Sequence, residues 1–243
     1  MRTAILTDIH GNLPALQQVL ARCAELSVER YVCLGDTVGY GAEPNECCEI
    51  VRQRASFTLL GNHDAAVSGR MKYDDYYDAA RDALDWTRER LTPANQGWLL
   101  SLPYTAREGA VAYCHGSPLE PEQFEYIFQT EHAEELLPIL GDLAEITLIG
   151  HSHLPRAFAI NAAGVTDVYA DELPIQPGRK HLASVGSVGQ PRDGDPRACF
   201  AVLDDEARTL SFQRVSYDIE KTASRILASG LSPHFARRLF AGI

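Results

Sequence analysis

No two of the chain's six cysteines are spaced CxxC and none falls into a framework spacing, so a disulfide scaffold is not expected. Cys33 and Cys114 sit inside apolar runs and read as reduced core thiols. An uninterrupted apolar run of about 18 residues, the length of a membrane span, is also missing. The N-terminal MRTAILTDIHGN turns polar too early for a secretory signal, which makes the cytoplasm the expected compartment. Positive charge is scarce: 22 Lys and Arg stand against 33 Asp and Glu, a net charge of −11. Long nucleic acids and anionic membranes are disfavoured as partners, because binding them needs cations that replace condensed counterions. An anionic substrate must therefore be attracted locally. Repeats, low-complexity tracts and charged tails are absent, and the longest turn-rich stretch, GSVGQPRDGDP (186–196), is the size of a loop. What the chain does have is 243 residues at 45% hydrophobic content, enough for a sizeable core, and residues 1–243 read as one domain.

Short β-like runs alternate with helical patterns through the first hundred residues. Strands are expected at 3–7, 31–34 and 57–60, and helices at 13–26, 44–54 and 76–91, with Pro93 in the first turn of the next helix. A βαβαβ series of this kind implies a parallel sheet flanked by helices. Paired strands follow at 104–107 and 111–114, then a helix over 131–140 and a strand over 146–149. Further strands are expected at 156–160, 165–169, 181–185, 199–203 and 210–215, before helices at 219–227 and 233–240. The pattern predicts an α/β fold with two sheets packed face to face, one mainly parallel and one mainly antiparallel, with helices outside.

Five strand ends each release a polar cluster directly after an apolar run: AILTDIHGN, YVCLGDTVGYG, FTLLGNHD, VAYCHGS and ITLIGHSH. Ligand sites of open α/β sheets lie beyond the carboxyl ends of the strands, where segments distant in sequence converge. Asp8, His10, Asp36, Asn62, His63, Asp64, His115, His151 and His153 are thus candidates for one site, which takes five of the eight histidines. Carboxylate and imidazole ligands without thiolate suit transition ions such as Mn²⁺, Fe, Zn²⁺, Ni²⁺ or Co²⁺, whereas Ca²⁺ and Mg²⁺ prefer oxygen shells. The set exceeds what one tetrahedral ion needs and fits two ions that share a ligand. A carboxylate is the natural bridge, and Asp36, alone at the end of its strand, is the best candidate.

The series DIH, GD, GNHD, HG and GHSH resembles the calcineurin-like metallophosphoesterases, from Asp8 to His153. GDTVGYGAEPNE and GSVGQPRDGDPRA extend the likeness, to a YfcE-type, phosphodiesterase-like bacterial and archaeal branch, as far as about Ala198. The resemblance implies a four-layer α/β/β/α sandwich with two central mixed sheets and a cofactor of two divalent transition-metal ions, Mn²⁺ first among them. It assigns Asp8, His10 and His153 to one ion, Asn62, His115 and His151 to the other, and Asp36 to both. It makes His63 the general acid, with Asp64 orienting its ring, and implies in-line attack of a metal-bridging hydroxide on phosphorus.

Arginines typical of the protein phosphatases and the diadenosine tetraphosphatases are absent: Gly39-Tyr40-Gly41 and Leu60 stand in their places. That shifts the expected substrate from phosphomonoesters toward small phosphodiesters or nucleotides. Asn12, Arg70, Lys72 and Arg192 are candidate substrate contacts. Tyr73, Tyr76 and Tyr77 are read as core packing, and QFEYIF (123–128) as an aromatic lid or a contact within a homo-oligomer.

Overall fold

A computed structural model describes residues 1–243. Its first sheet runs β3 (Phe57–Thr58), β2 (Arg30–Cys33), β1 (Arg2–Leu6), β11 (Ala198–Asp204), β12 (Thr209–Val215) and β9 (Glu172–Pro174). The second runs β4 (Thr105–Glu108), β5 (Val111–Cys114), β6 (Ile146–Ile149), β10 (Lys180–Val185), β7 (Pro155–Asn161) and β8 (Gly164–Val168). Both are mixed. β1, β2 and β3 are parallel in one, and β5, β6 and β10 in the other, while every remaining pairing is antiparallel. The expected division into a parallel and an antiparallel sheet is therefore corrected, because β11 and β12 return to the edge of the N-terminal parallel trio.

Alternation along the strands builds the layers. In β1, Ile5 points into the core between the sheets, while Ala4 and Leu6 pack against helices; in β11, Ala201 and Leu203 face inward and Phe200 and Val202 outward. β6 and β10 contribute Leu148, Ala183 and Val185 to the same inter-sheet core. Helix α1 (Leu13–Glu25) covers the outer face of the first sheet through Leu16, Val19 and Cys23, with α2 (Pro44–Arg54) beside it through Cys47 and Val51. The outer face of the second sheet, including Phe158 and Leu182, is covered by Ala133 and Leu136. The helix expected over 131–140 is broken there into α6 (Thr130–Glu134) and a 3₁₀ turn at Leu137–Ile139, since Pro138 has no N–H to continue the ladder.

Helix α3 (Asn62–Ser68) opens directly at the GNHD cluster, and α4 (Asp78–Arg90) and α5 (Pro93–Leu100) pack beside it. Pro93 occupies the first turn of α5 as expected, behind the cap that Thr92 makes with Asn95 N. At the C-terminal end, α7 (Ile219–Ala228) and α8 (Pro233–Ala241) pack through Ile226, Phe235 and Leu239 onto Tyr40 and Ala83. All six cysteines are buried free thiols; burial pushes Cys33, Cys114 and Cys199 up to about 12. No helix is long and apolar enough to cross a membrane.

Candidate metal centre

The two parallel trios point their carboxyl ends at one place. β1 is followed by Asp8 and His10, β2 by Asp36, β3 by Asn62 and His63, β5 by His115, and β6 by His151 and His153. All eight side chains are buried. Three groups converge closely enough to hold cations: Asp8, His10 and His153; Asp36, His115 and His151; and His10, Asp36 and His63. Sharp turns bring them there. Asp8, His10, Asp36, Tyr40, His151 and His153 all have φ between 50° and 66°, the left-handed region, where Asp and His are tolerated better than branched residues. Each such residue carries about 1 kcal/mol or more of strain, held in place by the surrounding packing. Gly150 permits a close approach of two of these turns, since a Cβ there would lie 2.8 Å from Asp8 Oδ2.

Backbone carbonyls fix which ring nitrogen faces inward. His10 Nδ1 donates to Val38 O (3.0 Å), His115 Nδ1 to Leu34 O (2.9 Å) and His153 Nδ1 to Gln190 O (2.6 Å). Their Nε2 atoms then present lone pairs to the centre. His10 Nε2 and His153 Nε2 stand 3.2 Å apart, and His153 Nε2 is 3.2 Å from Asp8 Oδ1. His115 Nε2 is 3.4 Å from Asp36 Oδ2 and 3.2 Å from Asn62 Oδ1. The other carboxylate oxygens are tied down: Asp8 Oδ2 accepts from Thr7 Oγ1 and His151 N, and Asp36 Oδ1 from His63 N. Asp8 Oδ1 is buried without a hydrogen-bond donor. Acceptors facing acceptors in a dry site require a cation between them.

Electrostatics agree. Burial opposes ionisation of Asp8, but the neighbouring imidazoles, His153 first, outweigh it and hold the carboxyl at about 2; Asp36 is lowered against burial in the same way, chiefly by His115 and His63. Burial lowers His10, His151 and His153. His115 alone is pushed up, to about 9, where Asp36 and Asp8 overcome its burial, so the carboxylates favour positive charge at this place.

His63 lines a cavity of about 860 Å³ over this centre, together with Asn62, His151, Lys72 and Arg192. Its ring lies edge-on to Tyr40 (4.4 Å between centroids) and His10 (4.8 Å), and its Nδ1, packed against Gly39, has no partner. The expectation that Asp64 orients this ring is overturned. Asp64 sits in the first turn of α3 and accepts instead from the backbone N–H groups of Thr37, Val38 and Gly61, tying two strand-end loops together.

Two of the four expected substrate contacts are also corrected. Asn12 caps α1 through Ala15 N, accepts from Thr222 Oγ1 and donates to Gly189 O, so its amide is used up in a fully buried position. Arg70 donates to Leu102 O (2.5 Å) and stacks on Tyr104. Lys72 and Arg192 do reach the cavity. Of the tyrosines, Tyr76 holds the Asn62 amide through its hydroxyl (2.7 Å), whereas Tyr77 is 52% exposed on the cavity rather than in the core. Tyr126 stacks on His151 at 3.8 Å, which puts the 123–128 run over the centre. Sequence reasoning gives no site role to Tyr40, Gln190 and Arg238: Tyr40 figures there only as standing where relatives carry arginine, Gln190 lies in a turn-rich loop, and Arg238 lies in a helix that reads as ordinary packing.

Two mixed sheets between helices, with their parallel strand ends feeding one Asp, His and Asn cluster, define the metallophosphoesterase fold. The chain belongs to the calcineurin-like phosphoesterase family, whose pattern it matches over residues 1–173. It is 33% identical to the protein MJ0912 of Methanocaldococcus jannaschii, over 98% of this chain and 97% of that one. A metallophosphoesterase from Sphaerobacter thermophilus is 35% identical and superposes with a TM-score of 0.86, covering 100% of this chain and 99% of that one. The protein PH1004 of Pyrococcus horikoshii OT3, at 22% identity, shares the fold with a TM-score of 0.79 over 100% of this chain and 98% of its own.

Proposed function

We propose that the chain is a phosphoesterase dependent on two divalent transition-metal ions, Mn²⁺ by preference, that hydrolyses small phosphoesters, nucleotides and phosphodiesters among them. One observation carries this reading: imidazole Nε2 atoms, with their Nδ1 hydrogens committed to backbone carbonyls, face carboxylate oxygens across a buried gap with no donor between them. The donor set fits the ions. Asp8, His10 and His153 would hold one, Asn62, His115 and His151 the other, and Asp36 both, while Tyr76 and the carbonyls of Val38, Leu34 and Gln190 orient the ligands. When bound, the ions supply positive charge toward a phosphoryl group and lower the pKa of water, so that a nucleophile exists at neutral pH.

His63 is the proton donor to the leaving oxygen in this reading. It borders the cavity, and Gly39 occupies the space at its Nδ1, leaving the opposite ring nitrogen for the substrate. Burial above all, with Arg192, His153 and His115 acting in the same sense and Asp36 against them, brings its pKa down to about 4. A bound phosphoryl anion acts in the same upward sense as Asp36 and helps the ring to hold its proton. The parts span nearly the full chain, from Asp8 to Arg238, which supports treating residues 1–243 as one domain.

The test is metal-depleted protein reloaded with Mn²⁺, Zn²⁺, Ni²⁺ or Mg²⁺ and assayed side by side on a nitrophenyl phosphomonoester and a bis-nitrophenyl phosphodiester. Turnover restored by a transition metal is the expected result. No turnover of either ester with any metal, in protein shown to bind two ions, would overturn the enzymatic reading.

A further inference from the structure

Arginine is missing from the GD and GN motifs, where Gly39-Tyr40-Gly41 and Leu60 stand. The cavity nevertheless has two, from the C-terminal part of the chain: Arg192, after β10, and Arg238, on α8. Both have open donors. Arg192 Nε and Arg238 Nη2 are buried without a hydrogen-bond partner. Arg238 is only 7% exposed, and its Nε is satisfied by the neutral Gln190 Oε1 (2.6 Å), not by a carboxylate. The acidic residues on the same cavity, Asp75 and Glu125, are both exposed. A buried guanidinium with unused N–H groups is expensive unless an anion completes it, and its planar fork matches phosphate oxygens two at a time.

Position indicates which anion. Arg238 stacks on Tyr40 at 4.4 Å from the ring centroid, and Tyr40 in turn lies 4.4 Å from the His63 ring. Arg192 is anchored beside His153 through its backbone N–H (3.4 Å to His153 O), and Gln190, two residues before it, touches both His153 and Arg238. Both arginines thus line the cavity that His63 borders, Arg238 behind the Tyr40 ring that touches both His63 and His10, and Arg192 next to His153, outside the set of ligand residues. A cavity of about 860 Å³ has room for more than one phosphoryl group there.

We propose that Arg192 and Arg238 bind a second phosphate carried by the leaving group, so that the preferred substrates are small phosphoanhydrides or bisphosphates of the nucleoside diphosphate type. This rests on the phosphoesterase reading above and narrows it. For a nucleoside diphosphate, water forms a new bond to the terminal phosphorus and the bridging P–O bond breaks. The leaving nucleoside monophosphate keeps the electron pair and takes one proton from His63, and water's own proton is released, giving inorganic phosphate and the monophosphate.

The experiment uses the full Mn²⁺-loaded chain with adenosine diphosphate and adenosine monophosphate as probes, and it reads the ratio of their kcat/KM values. The diphosphate should be favoured at least tenfold. Arg192→Ala and Arg238→Lys should each reduce kcat/KM for the diphosphate at least tenfold more than for the monophosphate, mainly through KM. Calorimetry provides a readout without turnover: methylenediphosphonate should bind at least tenfold more weakly to each variant, with a smaller loss for methylphosphonate. An unchanged substrate ratio, or equal losses for the two phosphonates, overturns the proposal. Arg192 is partly exposed on a loop, so Arg192→Ala decides the question even if Arg238→Lys is found by its Tm to be unfolded. If the wild type hydrolyses neither these probes nor the nitrophenyl esters, the phosphoesterase reading fails, and the phosphonate titrations still decide whether the arginines select a second anionic group.

Discussion

The two neighbours His63 and Asp64 do different work although they sit side by side. His63 borders the cavity and hydrogen-bonds Asp36 through its main-chain N–H, which a side-chain substitution leaves in place. His63→Ala should therefore keep both metals, checked by elemental analysis, while kcat falls roughly 10²- to 10⁴-fold on a substrate with a poor leaving group. Full rate, or loss of metal, would remove the acid role. Asp64 is buried at the start of α3, where burial and then Asp36 push its carboxyl up to about 7, and its oxygens serve three backbone N–H groups. Asp64→Ala should destabilise the fold by about 2 kcal/mol or more in denaturant titrations, because it strands buried donors. A variant of wild-type stability but altered pH–rate profile would restore the ring-orienting role. Residue identity made the candidate ligands legible in the sequence; the division of labour within GNHD was not, since it depends on which way the first turn of α3 aims each side chain.

Elements succeed where their signal is local. The strands of the βαβαβ series and the Pro-led helices stand within a residue or two of expectation, because alternation, capping and Pro at the first turn act over short distances. β9 was invisible: three residues with no pattern of their own pair with β12 only because the sheet edge is there to receive them. The loop after β6 shows how element ends make the site. Gly150 lets His151 N reach Asp8 Oδ2 (3.0 Å), and a methyl group in its place would push against that oxygen. Gly150→Ala is expected to weaken metal binding at least about tenfold, about 1.4 kcal/mol, in competition with a chelator. The circular dichroism spectrum should stay native. Unaltered metal affinity would show that the approach of the two loops is not what sets the ligand geometry.

At the scale of the whole molecule, the candidate metal ligands come from both sheets. Asp8 and Asp36 follow strands of one, His115, His151 and His153 strands of the other, so ions bound between them would act as a clasp across the sandwich. Ligands that repel one another in the metal-free state should make the stability of the fold metal-dependent. Reloading chelator-treated protein with Mn²⁺ at about 100 times its Kd should raise the unfolding free energy by about 2.7 kcal/mol, with a corresponding rise in Tm. A Tm indifferent to metal would count against a centre spanning the two sheets. The net charge of −11 is reconciled with an anionic substrate at this scale too, because Lys72, Arg192 and Arg238 meet at the one cavity.

By itself, the sequence determined the chemistry available and where along the chain it would be found: apolar runs ending in Asp, Asn and His, in an order that resembles one family of phosphoesterases. Those features are local, written in residue type and short spacing. Only the tertiary structure decided which strands pair within each mixed sheet, that Asn12 and Arg70 are spent on the fold, and that Arg238 comes back across the chain to share a cavity with His63. The reason is that sheet order and long-range return are set by burial of whole faces against one another, which no short stretch of sequence encodes.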